Sequence, residues 1–244
     1  MKKLVSRSLI IIILSGFIAI VYFSMSRVYP FNWDVAVKYY RLFLMGLEMT
    51  GKLTAVSLGF ALLTGVVIAL LRTSKIQVFQ DLGTIYVWFF RNMPLLVIIL
   101  LIYYGLGSVF SIDRFWAGVF SLAFFEGAYI GEIFRAGIEA VPKGEIEAGE
   151  AMGLYSYQVT LSIVFPQAFR ISIPPLIGQM VSLIKDSSLV SVIALGDLTM
   201  RARQVGTQTL ASLEAYLILA GIYLAMTSIL SYVGRKLERR LAIP

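Results

Sequence analysis

Cysteine and histidine are both missing from the 244 residues of this chain. Without cysteine there can be no disulfide and no thiolate metal site, and without histidine there is no imidazole for acid–base catalysis. Charged residues are also scarce, since Asp, Glu, Lys and Arg together make up 14% of the sequence. No paired-carboxylate catalytic motif is visible, so the sequence argues against an enzyme.

Hydrophobic residues, in contrast, make up 59% of the chain and collect in long runs separated by short polar breaks. A run of about 20 apolar residues is long enough to cross a bilayer as a helix. The sequence therefore predicts an all-α integral membrane protein with six transmembrane helices. The predicted spans are Leu4–Phe23, Leu47–Leu71, Leu82–Leu106, Phe115–Ile138, Phe169–Ile193 and Ala215–Val233.

The first run has the basic start of a signal peptide, but no small-residue cleavage site follows it. We expect a retained membrane anchor, and a cleaved signal peptide is the alternative. Residues 24–46 carry Pro30, Asn32, Trp33 and Asp34 and are expected to lie at the outer face, with aromatic rings at the lipid headgroups. Residues 1–46 thus form the predicted anchor and outer segment, and residues 47–244 the transmembrane domain.

Lys and Arg give the chain a formal net charge of +7, but they are spread among the loops. A nucleic-acid-binding protein would gather them on one face, so no nucleic acid partner is expected. Basic residues of membrane proteins concentrate in cytoplasmic loops. A cytoplasmic N-terminus places more than half of them inside, together with the C-terminal RKLERR, and predicts a multi-pass protein with both termini in the cytoplasm.

A polar segment, EAGEAMGLYSYQVTLSIVFP, occupies residues 147–166 between the fourth and fifth runs. Pro142 and Gly144 interrupt the preceding run, and the glutamates that follow favour the N-terminal end of a helix. Gly153 can close that helix in a left-handed conformation. The pattern predicts a short exposed helix that docks on a cytoplasmic partner, with a solvated connector helix as the alternative.

The same segment resembles the EAA loop of bacterial binding-protein-dependent ABC importer permeases. Two positions differ from the usual pattern, because Gly149 stands in place of its second alanine and Phe165 in place of a leucine. The matching positions are Glu147, Ala148, Gly153, Ile163 and Pro166. Further stretches resemble the polar amino acid permease family: FRNMPLL from Phe90, AYIGEIFRAGIEAVPKG from Ala128, FPQAFR from Phe165 and KDSSL from Lys185.

This resemblance implies a five-helix type I ABC importer core, preceded here by the N-terminal anchor, in a bacterial inner membrane. It implies a second permease subunit, identical or related, and a binding protein that delivers a polar amino acid, acidic or amide by similarity. ATP and Mg²⁺ would bind a separate pair of ATPase subunits, so no cofactor is expected in this chain. The implied ATPase-coupling residues are Glu147, Ala148, Gly149, Glu150, Ala151 and Gly153.

Polar residues inside the predicted spans are candidates for the translocation path. Helical spacing after Pro174 gathers several of them on one arc, and an ionisable residue within a span should face protein or water. Lys185 and Asp186 could instead end the helix at the outer interface, and Glu126 could be a hydrogen-bonded strut between helices. The candidates are Gln179, Ser182, Lys185, Asp186, Glu126, Tyr129 and Arg91.

Two classes of transporter fit these features. The first is an ABC permease whose path is opened by ATP hydrolysis on another polypeptide. The second is an ATP-independent secondary transporter or channel for small polar solutes, which would need its own coupling-ion site or internal repeat. In either class, Pro94 is expected to bend the third span, because proline removes a hydrogen bond from a helix.

Overall fold

The computed structural model describes residues 16, 20, 22–24 and 26–241, and the regular structure among them is helical. α4 contains a π-helical stretch at Leu101–Leu106, and α7 contains another at Thr160–Val164 and ends in the 3-10 helix Ser187–Ile193. The helices are α1 Asp34–Lys38, α2 Tyr40–Arg72, α3 Gln77–Asn92, α4 Leu95–Phe110, α5 Arg114–Glu139, α6 Lys143–Ala151, α7 Ser156–Ile193, α8 Leu198–Thr209 and α9 Ser212–Leu241.

Four of these helices, α2, α5, α7 and α9, are long and apolar enough to cross a membrane. The pair α3 and α4 passes the same test together and is bent by 103°. α3 begins beside the end of α2, where Gly83 packs on Arg72. The chain after α4 lies at the opposite end of the bundle, where Arg114 donates to the carbonyl of Ala194. The bent pair therefore runs from one end of the bundle to the other, and the described residues contain up to five membrane spans.

The two ends of the bundle carry different short helices. α6 lies at one end, with Arg72 and Glu139, and α8 lies at the other, where Leu198 packs beside Gly46. We call these the α6 end and the α8 end. Because α7 starts after α6 and finishes before α8, it connects the two ends directly.

Three predicted span boundaries need correction. α2 begins at Tyr40 rather than Leu47. The third span is not one helix from Leu82 to Leu106. Pro94 lacks an N–H and holds Met93 in an extended conformation, which breaks the span as expected of that proline.

The fifth span is longer than predicted. Its helical backbone begins at Ser156 rather than Phe169, because the π-helical turn before Phe165 continues the helix instead of ending it. The sixth span begins at Ser212, close to the prediction of Ala215. The predicted anchor Leu4–Phe23 lies almost entirely outside the described residues.

Glycine brings α2 and α5 into close contact. A β-carbon added at Gly131 would lie 2.7 Å from Cγ2 of Ile68, and one added at Gly127 would lie 2.8 Å from Cβ of Thr64. These distances are too short for any larger residue without movement of the neighbouring helix. Gly127 and Gly131 therefore permit close packing of α5 against α2.

The segment before α1 is fastened to the start of α9. Glu214 is fully buried, and its carboxylate accepts a hydrogen bond of 2.9 Å from the Tyr29 hydroxyl and one of 2.5 Å from the backbone N–H of Asn32. Phe31 stacks on Trp33, with 5.7 Å between ring centroids. These contacts fix the segment against the α8 end of the bundle.

The buried side chain of Asp197 begins α8. Its carboxylate accepts hydrogen bonds of 3.1 Å from the backbone N–H groups of Thr199 and Met200 and so caps the helix. Burial raises the pKa of Asp197 to about 6, and these hydrogen bonds oppose that rise. The cap therefore stabilises the first turn of α8, and burial of the Asp197 carboxyl group offsets part of that stabilisation.

Candidate functional site

A cavity of about 410 Å³ with several charged and polar residues in its wall lies between the end of α3, the C-terminal half of α5 and the middle of α7. Arg91 comes from the last turn of α3, just before the break at Pro94, and its guanidinium carbon lies 5.0 Å from the centre of the Tyr129 ring. A cation over an aromatic face is held by the charge distribution of the ring. The cavity is lined by Arg91, Tyr129, Glu132, Ile133, Arg135, Ala136, Gly137, Ile171, Pro175 and Gln179.

Most of the charge around this cavity is paired. Arg135 donates to Glu132 at 3.0 Å and to Glu139 at 2.6 Å, and Arg72 at the end of α2 lies 3.5 Å from Glu132. Arg91 has no carboxylate within 4.0 Å in the described part of the chain. The cavity therefore presents one uncompensated positive charge.

Gln179 connects the cavity to a buried carboxyl group. Its side-chain amide donates to Oε2 of Glu126, which is fully buried in α5 and does not line the cavity. The carboxyl of Asp186 lies within side-chain hydrogen-bonding range of the same group. The hydrogen bond to Glu126 thus orients the Gln179 side chain in the cavity wall.

The predicted path residues divide into four groups. Arg91, Tyr129 and Gln179 line the cavity, whereas Glu126 and Asp186 face each other between α5 and α7. Ser182 is half-buried on α7 and does not line this cavity. Lys185 lines a different cavity of about 330 Å³, together with Ser188, Thr199, Tyr216, Leu219, Ala220 and Tyr223. The polar arc of α7 is therefore not one continuous surface.

Glu132 and Arg135 lie three residues apart on α5 and form an ion pair at 3.0 Å. The sequence analysis did not identify Glu132 and Arg135 as residues that line the cavity. The signal was present, because Tyr129, Glu132 and Ala136 follow one another at helical spacing and so share a face of α5. That face turns toward α7 in the structure.

At the α6 end, the short helix predicted from the polar segment is present as α6. Gly153 has φ of +84°, its N–H donates to the carbonyl of Glu150 at 2.9 Å, and the N–H of Leu154 donates to the carbonyl of Gly149 at 3.2 Å. This pair of bonds is the Schellman closure that a left-handed glycine permits. The predicted left-handed end at Gly153 is confirmed.

Five of the six predicted coupling residues are exposed on α6 and its closing turn: Glu147, Ala148, Glu150, Ala151 and Gly153. Gly149 is buried instead. A β-carbon at Gly149 would lie 2.7 Å from Cδ1 of Ile163, which accounts for glycine at this position. Large exposed side chains that the sequence did not single out surround the helix, namely Met152, Tyr155 and Tyr157.

α6 is attached to the spans on both sides. It follows α5 after three residues, and the Gln167 side chain of α7 donates to the Glu145 carboxylate of α6. Beneath it, Val141, Val159, Val164 and Ala168 form a small buried core. A force applied to α6 therefore reaches α5 and α7 together.

Comparison with known proteins identifies a family. The profile described as "Binding-protein-dependent transport system inner membrane component" matches residues 59–243. The chain is 37% identical over 200 residues to the arginine transport system permease protein ArtQ of Bacillus subtilis (strain 168), with 81% of this chain and 91% of that protein covered. It is 36% identical over 211 residues to the probable glutamine ABC transporter permease protein GlnM of the same organism, with 86% and 98% covered.

A solved structure shows the same fold. The crystal structure of an amino acid ABC transporter with histidines superposes with a TM-score of 0.81 at 37% identity, and the match covers 87% of this chain and 100% of that chain. The inward-facing methionine transporter MetNI superposes with a TM-score of 0.70 at 19% identity, over 84% of this chain and 99% of that one.

Proposed function

This chain belongs to the binding-protein-dependent transport system inner membrane components as a polar amino acid ABC transporter permease, and from that premise we propose its substrate, its path residues and its coupling surface. It is a multi-pass inner-membrane protein with the type I ABC importer fold. It is not an enzyme, because ATP is hydrolysed on a separate subunit. Membership of this family argues against the alternative function, an ATP-independent secondary transporter or channel.

The proposed substrate is a polar amino acid with an acidic or amide side chain. The observation that carries this proposal is the uncompensated Arg91 in the wall of the 410 Å³ cavity. A guanidinium binds carboxylate through parallel hydrogen bonds and repels a cationic side chain. The carbonyl oxygen of Gln179 remains available to a substrate N–H, since the amide nitrogen already donates to Glu126.

The relatives carry different substrates by name, arginine for ArtQ and glutamine for GlnM, at nearly equal identity to this chain. The charged groups that those two amino acids share are the α-ammonium and the α-carboxylate. We therefore infer that the cavity contacts these main-chain groups and that the binding protein makes much of the selection between side chains. The charge of Arg91 then disfavours a basic substrate within the path.

Uptake by the reconstituted complex tests this function. Proteoliposomes holding the permease and its ATPase should accumulate labelled glutamate or glutamine only when ATP and the binding protein are both supplied. Uptake without ATP would contradict the permease function. Uptake of arginine alone, with the same ATP requirement, would overturn the substrate class and leave the permease function intact.

The proposed coupling surface is α6 with its closing turn. It is exposed, carries small alanines between glutamates, and is rimmed by Met152, Tyr155 and Tyr157, a surface suited to a cleft in a partner. We place the α6 end and both termini in the cytoplasm, where a dimer of ATPase subunits holds ATP and Mg²⁺. The binding protein then meets the α8 end, the N-terminal anchor adds a sixth span, and a second permease subunit completes the path.

Thiol labelling tests the path directly, because the chain contains no cysteine of its own. Ile171→Cys and Gln179→Cys place thiols in the cavity wall and should react with a small water-soluble maleimide. Ile177→Cys is the matched control on the same helix, since Ile177 packs against Gly234 of α9. Equal labelling of Ile177→Cys and Ile171→Cys would remove the cavity from the proposed path.

A further inference from the structure

The Glu126 carboxyl group has an unsatisfied oxygen in the interior of the bundle. Its Oε2 accepts from Gln179, whereas Oε1 has no hydrogen-bond partner among the described atoms although the side chain is fully buried. A buried carboxylate oxygen without a hydrogen-bond donor destabilises any folded protein. The cost is greater inside a membrane, because lipid chains cannot supply a donor. Something that donates to Oε1 is therefore required.

The group next to Glu126 cannot be that donor while it is ionised. Asp186 lies seven residues after Gln179 on α7, and its carboxyl is within side-chain hydrogen-bonding range of Glu126. Ionised carboxylates only accept hydrogen bonds, and two of them at close range repel each other. A protonated carboxyl, in contrast, donates one hydrogen bond.

Side-chain cations do not fill this role in the described part of the chain. Lys185 acts on Asp186 at longer range, but its side chain lines the separate cavity beside Tyr216 and forms no ion pair within 4.0 Å. Arg91 lies over the Tyr129 ring, at the cavity. From α2, the atoms near neighbouring Gly127 belong to Thr64 and Ala61, which are uncharged.

We propose that Glu126 and Asp186 hold one proton between them, as a carboxyl–carboxylate hydrogen bond that joins α5 to α7. The protonated oxygen donates to the other carboxylate, so Oε1 of Glu126 gains a partner and one of the two charges is removed. The proton comes from water and no covalent bond changes. This proton site is separate from the substrate cavity, which Glu126 does not line, and it does not depend on which amino acid is carried.

The site makes stability depend on pH with a definite sign. An unfolded chain exposes both carboxyl groups to water, where they ionise above a pH of about 4. The folded chain binds one more proton than the unfolded chain from that pH up to the pH at which the pair releases its proton. Within this window the folded state loses about tenfold in its equilibrium per pH unit as the pH rises.

Glu126→Gln and Asp186→Asn each replace the shared proton with amide N–H donors, so both should remove this pH dependence. The melting temperature of the full chain in lipid nanodiscs would be measured from acid to alkaline pH, with Glu48→Gln as the control. Glu48 pairs with Lys52 on an exposed face of α2. We expect a decline with rising pH in wild type and Glu48→Gln and a smaller slope in both amide variants.

Infrared spectroscopy gives a second readout, which remains usable if one variant folds poorly. The carbonyl stretch of a protonated carboxylic acid should be present in wild type at neutral pH and absent from whichever amide variant is folded. Equal pH slopes in wild type and the amide variants, or no such band in wild type, would overturn the proposal. A higher melting temperature at alkaline pH in Na⁺ or K⁺ than in choline would also overturn the proposal. That result would indicate a metal cation at the site.

Discussion

Gly153→Asp is expected to reduce coupled uptake by about tenfold or more while the chain still inserts into the membrane. Gly153 has φ of +84°, and a side chain in the left-handed region costs roughly 1–2 kcal/mol. No atom lies within 4 Å of the added β-carbon, so the substitution acts through backbone strain and a new charge rather than a clash. Both effects fall on the turn that closes α6.

Co-purification of the ATPase and substrate-stimulated ATP hydrolysis measure this effect. Gly144→Asp is the matched control, because it adds the same side chain to the first turn of the same helix, in open space and with no left-handed backbone. An aspartate there also favours the N-terminal end of a helix. Wild-type values for Gly153→Asp in both measurements would remove the turn from the coupling surface.

Arg91→Gln should lower uptake of the acidic or amide substrate by about 10- to 100-fold, since hydrogen bonds to charged groups contribute roughly 1.5–3 kcal/mol. The variant loses the one uncompensated charge of the cavity and the cation that lies over Tyr129. α6 is untouched, so assembly with the ATPase should remain normal. Uptake and ATPase co-purification from the same preparation separate the two properties.

Arg203→Gln is the control for net charge, because Arg203 is exposed on α8. It should transport like wild type. Arg91→Lys keeps the charge but loses the planar fork, and we expect an intermediate rate. Near-normal uptake by Arg91→Gln would exclude Arg91 from substrate contact.

The sequence was most informative about features that depend on neighbours along the chain. Apolar runs located the crossings, Pro94 located the break, and Gly153 located the end of α6. Each of these follows from hydropathy or from the backbone limits of one residue. The start of α2 was placed seven residues late because the helix continues beyond its apolar stretch, through Tyr40 and Arg41.

The sequence was less informative about contacts between helices. Helical spacing placed Gln179 and Lys185 on one arc, but it could not show that α5 faces the first and α8 and α9 the second. In the same way Glu126 was recognisable as a buried ionisable residue, whereas its partners on α7 depend on how two spans pack. Helix packing supplies this information, and a single sequence does not.

The unusual length of α7 has a mechanical consequence. At about 1.5 Å per residue its 38 residues can reach about 57 Å, nearly twice the roughly 30 Å of a hydrocarbon core. A helix of that length would act as a lever if a partner held it near Ser156. Moved as one rigid body, it would carry Ile193 sideways by about 5 Å for a tilt of about 5° at the held end.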